Sequence, residues 1–468
     1  MPQAQTVELP KRLPLVIQPE NRDESTLKDA KLINAYMERS ESTGETWIYK
    51  RPGLLQGGST LAGDGLGVYN WNGNIFAIFG TTLYKDEVSV GTISATGGVY
   101  RFNQCLGATH KLQLSNGVNS YNYDAGAGLV AMAGANLPSP AVKGILYLDG
   151  TTYMMNSDAS IRGCGALNDP TDWSDAANAL VAQIEPDKGV MLSKQLVYGV
   201  AMKQWSTEIF YDAGNATGSP LGAVQGAKIN YGCVNQDSVQ EVDGILLWLA
   251  TNRSAAVQAI MLEGLKPRIV STKPVERLLG EADFSSVLSF SLKYEGHRFY
   301  VFTLKNENLT LAYDMTDNFW AQWTDVNGNY FPIVSSTYNS AQGTVLQHET
   351  NGKLYVADSA YHSDDGDVIT VDIYTPNFDG GVRSRTKQMN IMEFVGDQTP
   401  GSVLKVRWND DDYDSTKWTD FRNVDMGQRL PILDNCGSFY RRAHHIRHQS
   451  NTRLRLQAVE LQMDLGTF

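Results

Sequence analysis

Long apolar runs are missing from this chain of 468 residues. The longest, Ile245-Leu-Leu-Trp-Leu-Ala250, falls far short of the roughly 20 residues a helix needs to cross a bilayer. Met1-Pro-Gln-Ala-Gln-Thr6 has no charged stretch leading into an apolar one, so no signal peptide is expected. Cysteine is scarce. Cys105, Cys164, Cys233 and Cys436 show no Cys-x-x-Cys spacing, which fits free thiols in a reducing compartment rather than a disulfide framework or a zinc site. Charge is thin, at 19% of residues, and leans acidic, with 39 Lys/Arg against 51 Asp/Glu and a net charge of −12. Residues 1–382 hold 26 Lys/Arg and 40 Asp/Glu, whereas 383–468 hold 13 and 11. Such a body lacks the clustered cations that bind a phosphate backbone. It can still line a passage along which DNA slides without sticking. No P-loop and no Gly-x-Ser-x-Gly elbow occur, so two common enzyme signatures are excluded. Helical periodicity is rare. Its best internal case is Lys273–Leu279, where Val275, Leu278 and Leu279 share a face and Gly280 can close the helix.

Turn chemistry and aromatics are abundant, with 43 glycines and 10% Phe, Trp and Tyr. Asn72-Gly73, Asn116-Gly117, Asp149-Gly150, Asp243-Gly244, Asn327-Gly328 and Asn351-Gly352 supply the positive φ angles that tight hairpins require. Between them, apolar residues alternate as strands demand. Ile369, Val371 and Ile373 face one way and Thr370, Asp372 and Tyr374 the other. Hairpin centres fall near Trp71, Leu112, Tyr147, Val197, Leu246, Phe299 and Tyr355. A recurrence of about 40–50 residues is the period of propeller blades, and closing them into a ring removes exposed sheet edges. The fold class expected is all-β, a β-propeller of about six or seven blades over 61–382. An extended N-terminal arm is expected over 1–60, held straight by Pro2, Pro10, Pro14 and Pro19, with a strand near Thr46–Lys50 and a helical turn or two from Ser25. The apolar phase slips by one residue between Leu454-x-Leu456-x-Ala458 and Val459-x-Leu461-x-Met463, the signature of a β-bulge. Residues 383–468 are therefore expected as a small C-terminal β-sandwich-like module.

Several stretches resemble, in their order, a known family. They are Tyr49-Lys-Arg-Pro-Gly-Leu54, Leu83-Tyr-Lys85, Asn168-Asp-Pro-Thr-Asp-Trp173, Glu185-Pro-Asp187, Ser206-Thr-Glu-Ile-Phe-Tyr211, and Arg407-Trp-Asn-Asp-Asp-Asp-Tyr413 with Thr416-Lys-Trp418. Together they resemble the tail hub or nozzle proteins of short-tailed bacteriophages, also called packaged-DNA stabilisation or head-tail closure proteins. The resemblance implies a virion component without enzymatic activity, assembled in the bacterial host cytoplasm. It implies a ring, typically sixfold, below the portal and its adaptor, with needle, spike or fibre proteins below or beside it. DNA would pass through the channel without sequence-specific binding, and no membrane or cofactor would be involved.

Other chemistry competes with blander readings. Gly126-Ala-Gly128-Leu-Val-Ala131 loosely fits a dinucleotide fingerprint with Asp149 further on, but Gly134, Pro138 and Pro140 interrupt any following helix. Asp410, Asp411, Asp412 and Asp414 place carboxylates as calcium ligands would, without the turn glycine and closing Glu. Ser363-Asp-Asp-Gly-Asp367 faintly matches the Asp-box turn of sialidase-like propellers, which keeps a carbohydrate-active enzyme as the rival reading; a monomeric propeller interaction module is another. Phe319-Trp320 and Trp323 suit base or sugar stacking, or the wedge between blades. No catalytic, cofactor-binding or metal residues are assigned. The densest cationic stretch holds Arg441, Arg442, His444, His445, Arg447 and His448, with His444 and His448 on one strand face. It reads as an exposed strand and a candidate docking strip for an acidic partner.

Overall fold

The computed structural model describes residues 11–15, 29–107, 110–253, 257–466. They fold into two compact units: 56–308 with 332–357, and 1–55 with 309–331 and 358–468.

The first unit is a ring of seven small antiparallel sheets in chain order. Five are complete four-stranded meanders, beginning at Gly65–Trp71, Arg101–Cys105, Leu146–Leu148, Gly189–Gln195 and Gln240–Val242. The sixth holds Val287–Tyr294 and His297–Leu304, and the seventh Ile333–Asn339, Gly343–His348 and Leu354–Asp358. Each hairpin centre expected from the sequence falls in a different one of these sheets. Asn72-Gly73, Asp149-Gly150 and Asp243-Gly244 take positive φ at both positions, the type I′ turn that matches strand twist. Glu295-Gly296 does the same without an Asn or Asp. The expected helix is present at Lys273–Gly280, with Pro274 in its first turn and Val275 and Leu279 buried.

Neighbouring sheets are stapled by polar side chains from their first and second strands. Gln113 donates to the Thr152 hydroxyl (3.0 Å), Gln195 to the Leu262 carbonyl (2.5 Å) and Gln240 to the Ser289 carbonyl (2.7 Å). Ser336 accepts from the Ser291 N–H and donates to its carbonyl. Gln347 closes the circle. Its Oε1 accepts from the Gly67 N–H and its Nε2 donates to the Ile78 carbonyl, both at 2.7 Å, so the seventh sheet is bonded to the first. A sheet edge in a propeller cannot be left bare, and a buried amide satisfies it without needing exact strand register. Apolar layers fill the wedges, for example Trp71, Phe76, Leu112 and Tyr123 between the first two sheets.

The second unit brings the two chain ends together. Lys31–Ile33 pairs parallel with Phe319–Trp323 and antiparallel with Val371–Tyr374. That strand continues through Ala443–His448 to Val403–Asn409 and Arg422–Asp425. A second sheet runs Ala35–Arg39, Thr46–Lys50, Arg455–Leu465, Lys387–Gly396 and Ile432–Asp434. The expected strand at Thr46–Lys50 is present, but the described part of 1–60 is not a free arm. Lys31–Ile33, Ala35–Arg39, Thr46–Lys50 and Gly53–Gln56 are strands, and the Leu13 N–H donates to the Val459 carbonyl (2.9 Å) with Leu13 buried. The prolines at 2, 10 and 19 and the start of the turn at Ser25 lie outside the described residues. The unit limits at 55/56 and 357/358 stand beside the limits of 60 and 382 read from the sequence, because alternation marks a strand without naming its partner. The phase slip is a bulge: Val395 pairs Ala458 while Gly396 pairs Leu456, leaving Gln457 extra.

Candidate functional surfaces

The innermost strands of six sheets, with Gly144 and Ile145 leading into the third, surround a central cavity of about 330 Å³, lined among others by Tyr69, Arg101, Ser193, Glu241, Ser291 and Ser336. Arg101 donates to the Gln236 and Asp237 carbonyls, and Lys143 sits on both Asp237 carboxylate oxygens at 2.8 Å. Burial pulls Lys143 below the ordinary lysine range, with Asp237 opposing the shift. Burial also raises Glu241, against a hydrogen bond from the Gly244 backbone. Glu241 is the one carboxylate among the described lining residues, whereas glycoside hydrolysis works with a facing pair.

The quoted motifs prove to be structural joints. Arg51 of Arg51-Pro-Gly is buried and spends its guanidinium on four residues. Nε donates to Asn34 Oδ1 (3.0 Å), Nη1 to Asp364 Oδ1 (3.0 Å) and the Pro52 carbonyl, and Nη2 to Asp364 Oδ2 (2.5 Å) and the Thr324 carbonyl. The cation also lies 4.6 Å from the Phe331 ring centre. Gly53 must be glycine: a Cβ there would stand 2.4 Å from the Tyr361 carbonyl oxygen. In the middle motif, Trp173 is buried with Met132, Ile145, Met154 and Cys164, and its Nε1 donates to the Pro170 carbonyl (2.9 Å). Asp169 and Asp172 cap the turns that deliver it.

Glu185-Pro-Asp187 and Ser206–Tyr211, separate in sequence, meet on one buried lysine. Lys203 Nζ lies 2.9 Å from Asp187 and 2.6 Å from Glu208, and donates to the Glu185 carbonyl (2.7 Å). Burial would raise Asp187, but Lys203 and the Trp205 N–H outweigh it and hold the carboxyl low. Glu185 itself faces a shallow pocket of about 260 Å³ where Lys228 and Arg253 both reach it and Arg253 overlies Trp205.

The cationic stretch is not an exposed strand. Ala443–His448 lies mid-sheet, paired on both edges, so Arg442, His444, His445 and His448 are buried. Arg442 holds Asp410 with two contacts of 2.7 and 2.9 Å, and Arg441 reaches Asp412 at 3.2 Å. This turns two of the four candidate calcium carboxylates into ion-pair partners. His444 is buried with no hydrogen-bond partner on either ring nitrogen among the described residues, and burial pushes it down to about 3. His448 is likewise lowered to about 3 by burial, then by Lys50. His445 faces the opposite side, with Asp372 at 2.6 Å and Tyr374 stacked at 4.0 Å. Half-buried Arg447 also grips Asp372.

The remaining candidates are accounted for locally. Gly126-Ala-Gly128 is a hairpin turn in which Asp124 accepts from the Gly126 and Ala127 N–H groups. Asp149 is a turn residue. Asp364 and Asp367 belong to a two-residue hairpin, with Asp364 committed to Arg51. Trp320 and Trp323 are fully buried packing residues. All four cysteines are buried and unpaired.

Among solved structures, the chain is similar to the N-terminal domain of Nup159 at 10% identity, covering 70% of this chain and 98% of that one with a TM-score of 0.39. It is similar to a streptogramin B lyase at 7%, covering 69% and 97%, TM-score 0.39. The extracellular domain of BT4673 from B. thetaiotaomicron matches at 8%, covering 86% and 58%, TM-score 0.41. Similarities this distant carry no argument about function. No curated protein matches the chain. The family model described as Bacteriophage P22 Gp10, beta-propeller, matches residues 12–360, most of the chain, and the protein therefore belongs to that phage-stabilisation family.

Proposed function

We propose that this chain is a hub subunit of a short phage tail. Copies form a ring, on the family resemblance sixfold, below the portal and adaptor rings, continue the DNA channel and help retain packaged DNA. The family match over 12–360 carries this reading and supports a structural role in the tail of a virion. The geometry adds a constraint. The cavity on the propeller axis, about 330 Å³, has the size of a small-ligand pocket, and no DNA duplex passes through it. A DNA channel in this assembly must therefore run between copies, with each propeller as a rigid wall block. The polar staples between sheets favour such a block, because they bond the fourth sheet to the fifth, the fifth to the sixth, the sixth to the seventh and the seventh to the first. A net charge of −12 favours passage of DNA over adhesion.

Labelled antibody against the chain, imaged on intact particles, tests the proposal. Decoration at the head–tail junction or upper tail is expected. Decoration of peripheral fibres, or unlabelled particles that package and hold DNA, would overturn it.

A further inference from the structure

Two surfaces remain unused by the joints described above. The first is an apolar ridge on one rim of the propeller. Leu196 and Val197 occupy a hairpin tip, where Gly, Asn or Asp is the ordinary choice, and are 59% and 66% exposed. Leu196 takes φ +53, a backbone state that leucine rarely adopts. Tyr211 (43%) lines the same groove of about 580 Å³. Leu167 (71%) continues the ridge, packed where a Cβ on Gly150 would stand 3.3 Å from it. Asp149 and Asp212 flank the groove with no ion-pair partner among the described residues. Lys194, the one cation there, also lines the central cavity with Glu241.

The second surface lies on the other unit. Cross-strand pairing sets Lys31, Tyr374, His445 and Arg407 in one row, and Asp372, Arg447 and Lys405 in the next. Trp418 and Phe421 cover Arg407 at 5.0 and 4.5 Å. Arg447 is spent on Asp372. Lys31 lies over Tyr374, Lys405 donates to Gln449, and Arg407 donates to His445, so these three cations meet no carboxylate among the described residues. Half-buried aromatics beside arginine are the composition of interface hot spots.

We propose that these surfaces are the two halves of one head-to-tail contact between copies: the apolar, carboxylate-flanked rim of one subunit against the aromatic, cationic sheet face of the next. The inference rests on the ring reading and names how the ring closes. A ring of more than two copies needs two different, mutually complementary patches on every subunit. These two match in sign and in apolar character. An exposed apolar ridge that includes a strained leucine is otherwise a liability in solution.

The test places a photo-crosslinking benzoylphenylalanine at Val197 of the full chain, in purified protein and in particles assembled with it. Links from 197 to Lys31 or to 405–421 of another copy are expected. Lys405→Glu and Asp212→Lys, at half-exposed positions that make no ion pair among the described residues and with folding checked by circular dichroism, should each weaken self-association about tenfold, and the double variant should recover it through the swapped pair. Links between copies that fall elsewhere, or a double variant no better than the singles, overturn this contact and leave the ring standing. Particles that contain the chain yet yield no link between copies, with all forms monomeric in solution, overturn contact and ring together.

Discussion

Arg51→Met keeps much of the side-chain volume and removes every donor of the guanidinium. Asn34 Oδ1 still accepts from the Thr324 N–H (2.8 Å), and the Pro52 and Thr324 carbonyls each lose one partner. The main damage falls on Asp364, which loses both of its Arg51 contacts while its side chain stays only 14% exposed. Breaking one side of a buried ion pair costs about 3–5 kcal/mol, because the survivor keeps its desolvation penalty. Replacing both partners, Arg51→Met with Asp364→Leu, removes that penalty and should return most of the stability. Arg51→Lys should fall between, since an ammonium cannot reproduce the fork. Urea unfolding followed by the fluorescence of the nine tryptophans measures the loss, and hydrogen exchange at Asn34, Arg51 and Gly53 locates it. The reasoning is refuted if Arg51→Met stays within about 1 kcal/mol of the parent, or if the double variant is as weak as the single one.

Gln347→Leu should unfasten the seventh sheet from the first, orphaning the Gly67 N–H and the Ile78 carbonyl at about 1–3 kcal/mol each; protease cutting near the Gly65–Trp71 strand should rise, and an unchanged pattern would count against the staple. Trp173→Ala should cost about 3–5 kcal/mol in thermal or urea unfolding, as expected for a fully buried indole, and a loss below about 1 kcal/mol would contradict the packing role. Acid should destabilise the unit that holds Ala443–His448. His444 and His448 are depressed to about 3, so the unfolded chain binds their protons first: stability is complete above the ordinary histidine range, falls as pH drops below about 6.5, and goes on falling to about 3. By pH 4.5 each contributes a loss of about 2–3 kcal/mol, and His444→Phe should flatten the acid limb of an unfolding curve against pH; an unchanged limb would show that the histidine is not buried neutral.

Local chemistry was legible where one residue type answers one backbone need. Asn72-Gly73, Asp149-Gly150 and Asp243-Gly244 announced their turns, Val275 and Leu279 marked the buried face of the helix, which runs through Gly280 to a cap at Glu281, and the phase slip near Ala458 announced the bulge at Gln457. Exposure was not legible. Arg442, His444 and His448 look like surface residues by type, yet their strand is flanked on both edges. Leu196 and Val197 are apolar by type, yet at the hairpin centre read near Val197 they stand exposed.

The amino-acid order by itself settled strand, turn and period, and with them a ring of repeated sheets, because those depend on neighbours within a few positions. Only the tertiary structure decided which distant segments join. Residue 13 meets 459, Arg51 finds Asp364, and Asp187, Lys203 and Glu208 share one buried charge cluster. Alternation fixes which face a side chain takes, but the partner across the gap is chosen by burial and charge compensation, which act through space and leave no periodic trace along the chain.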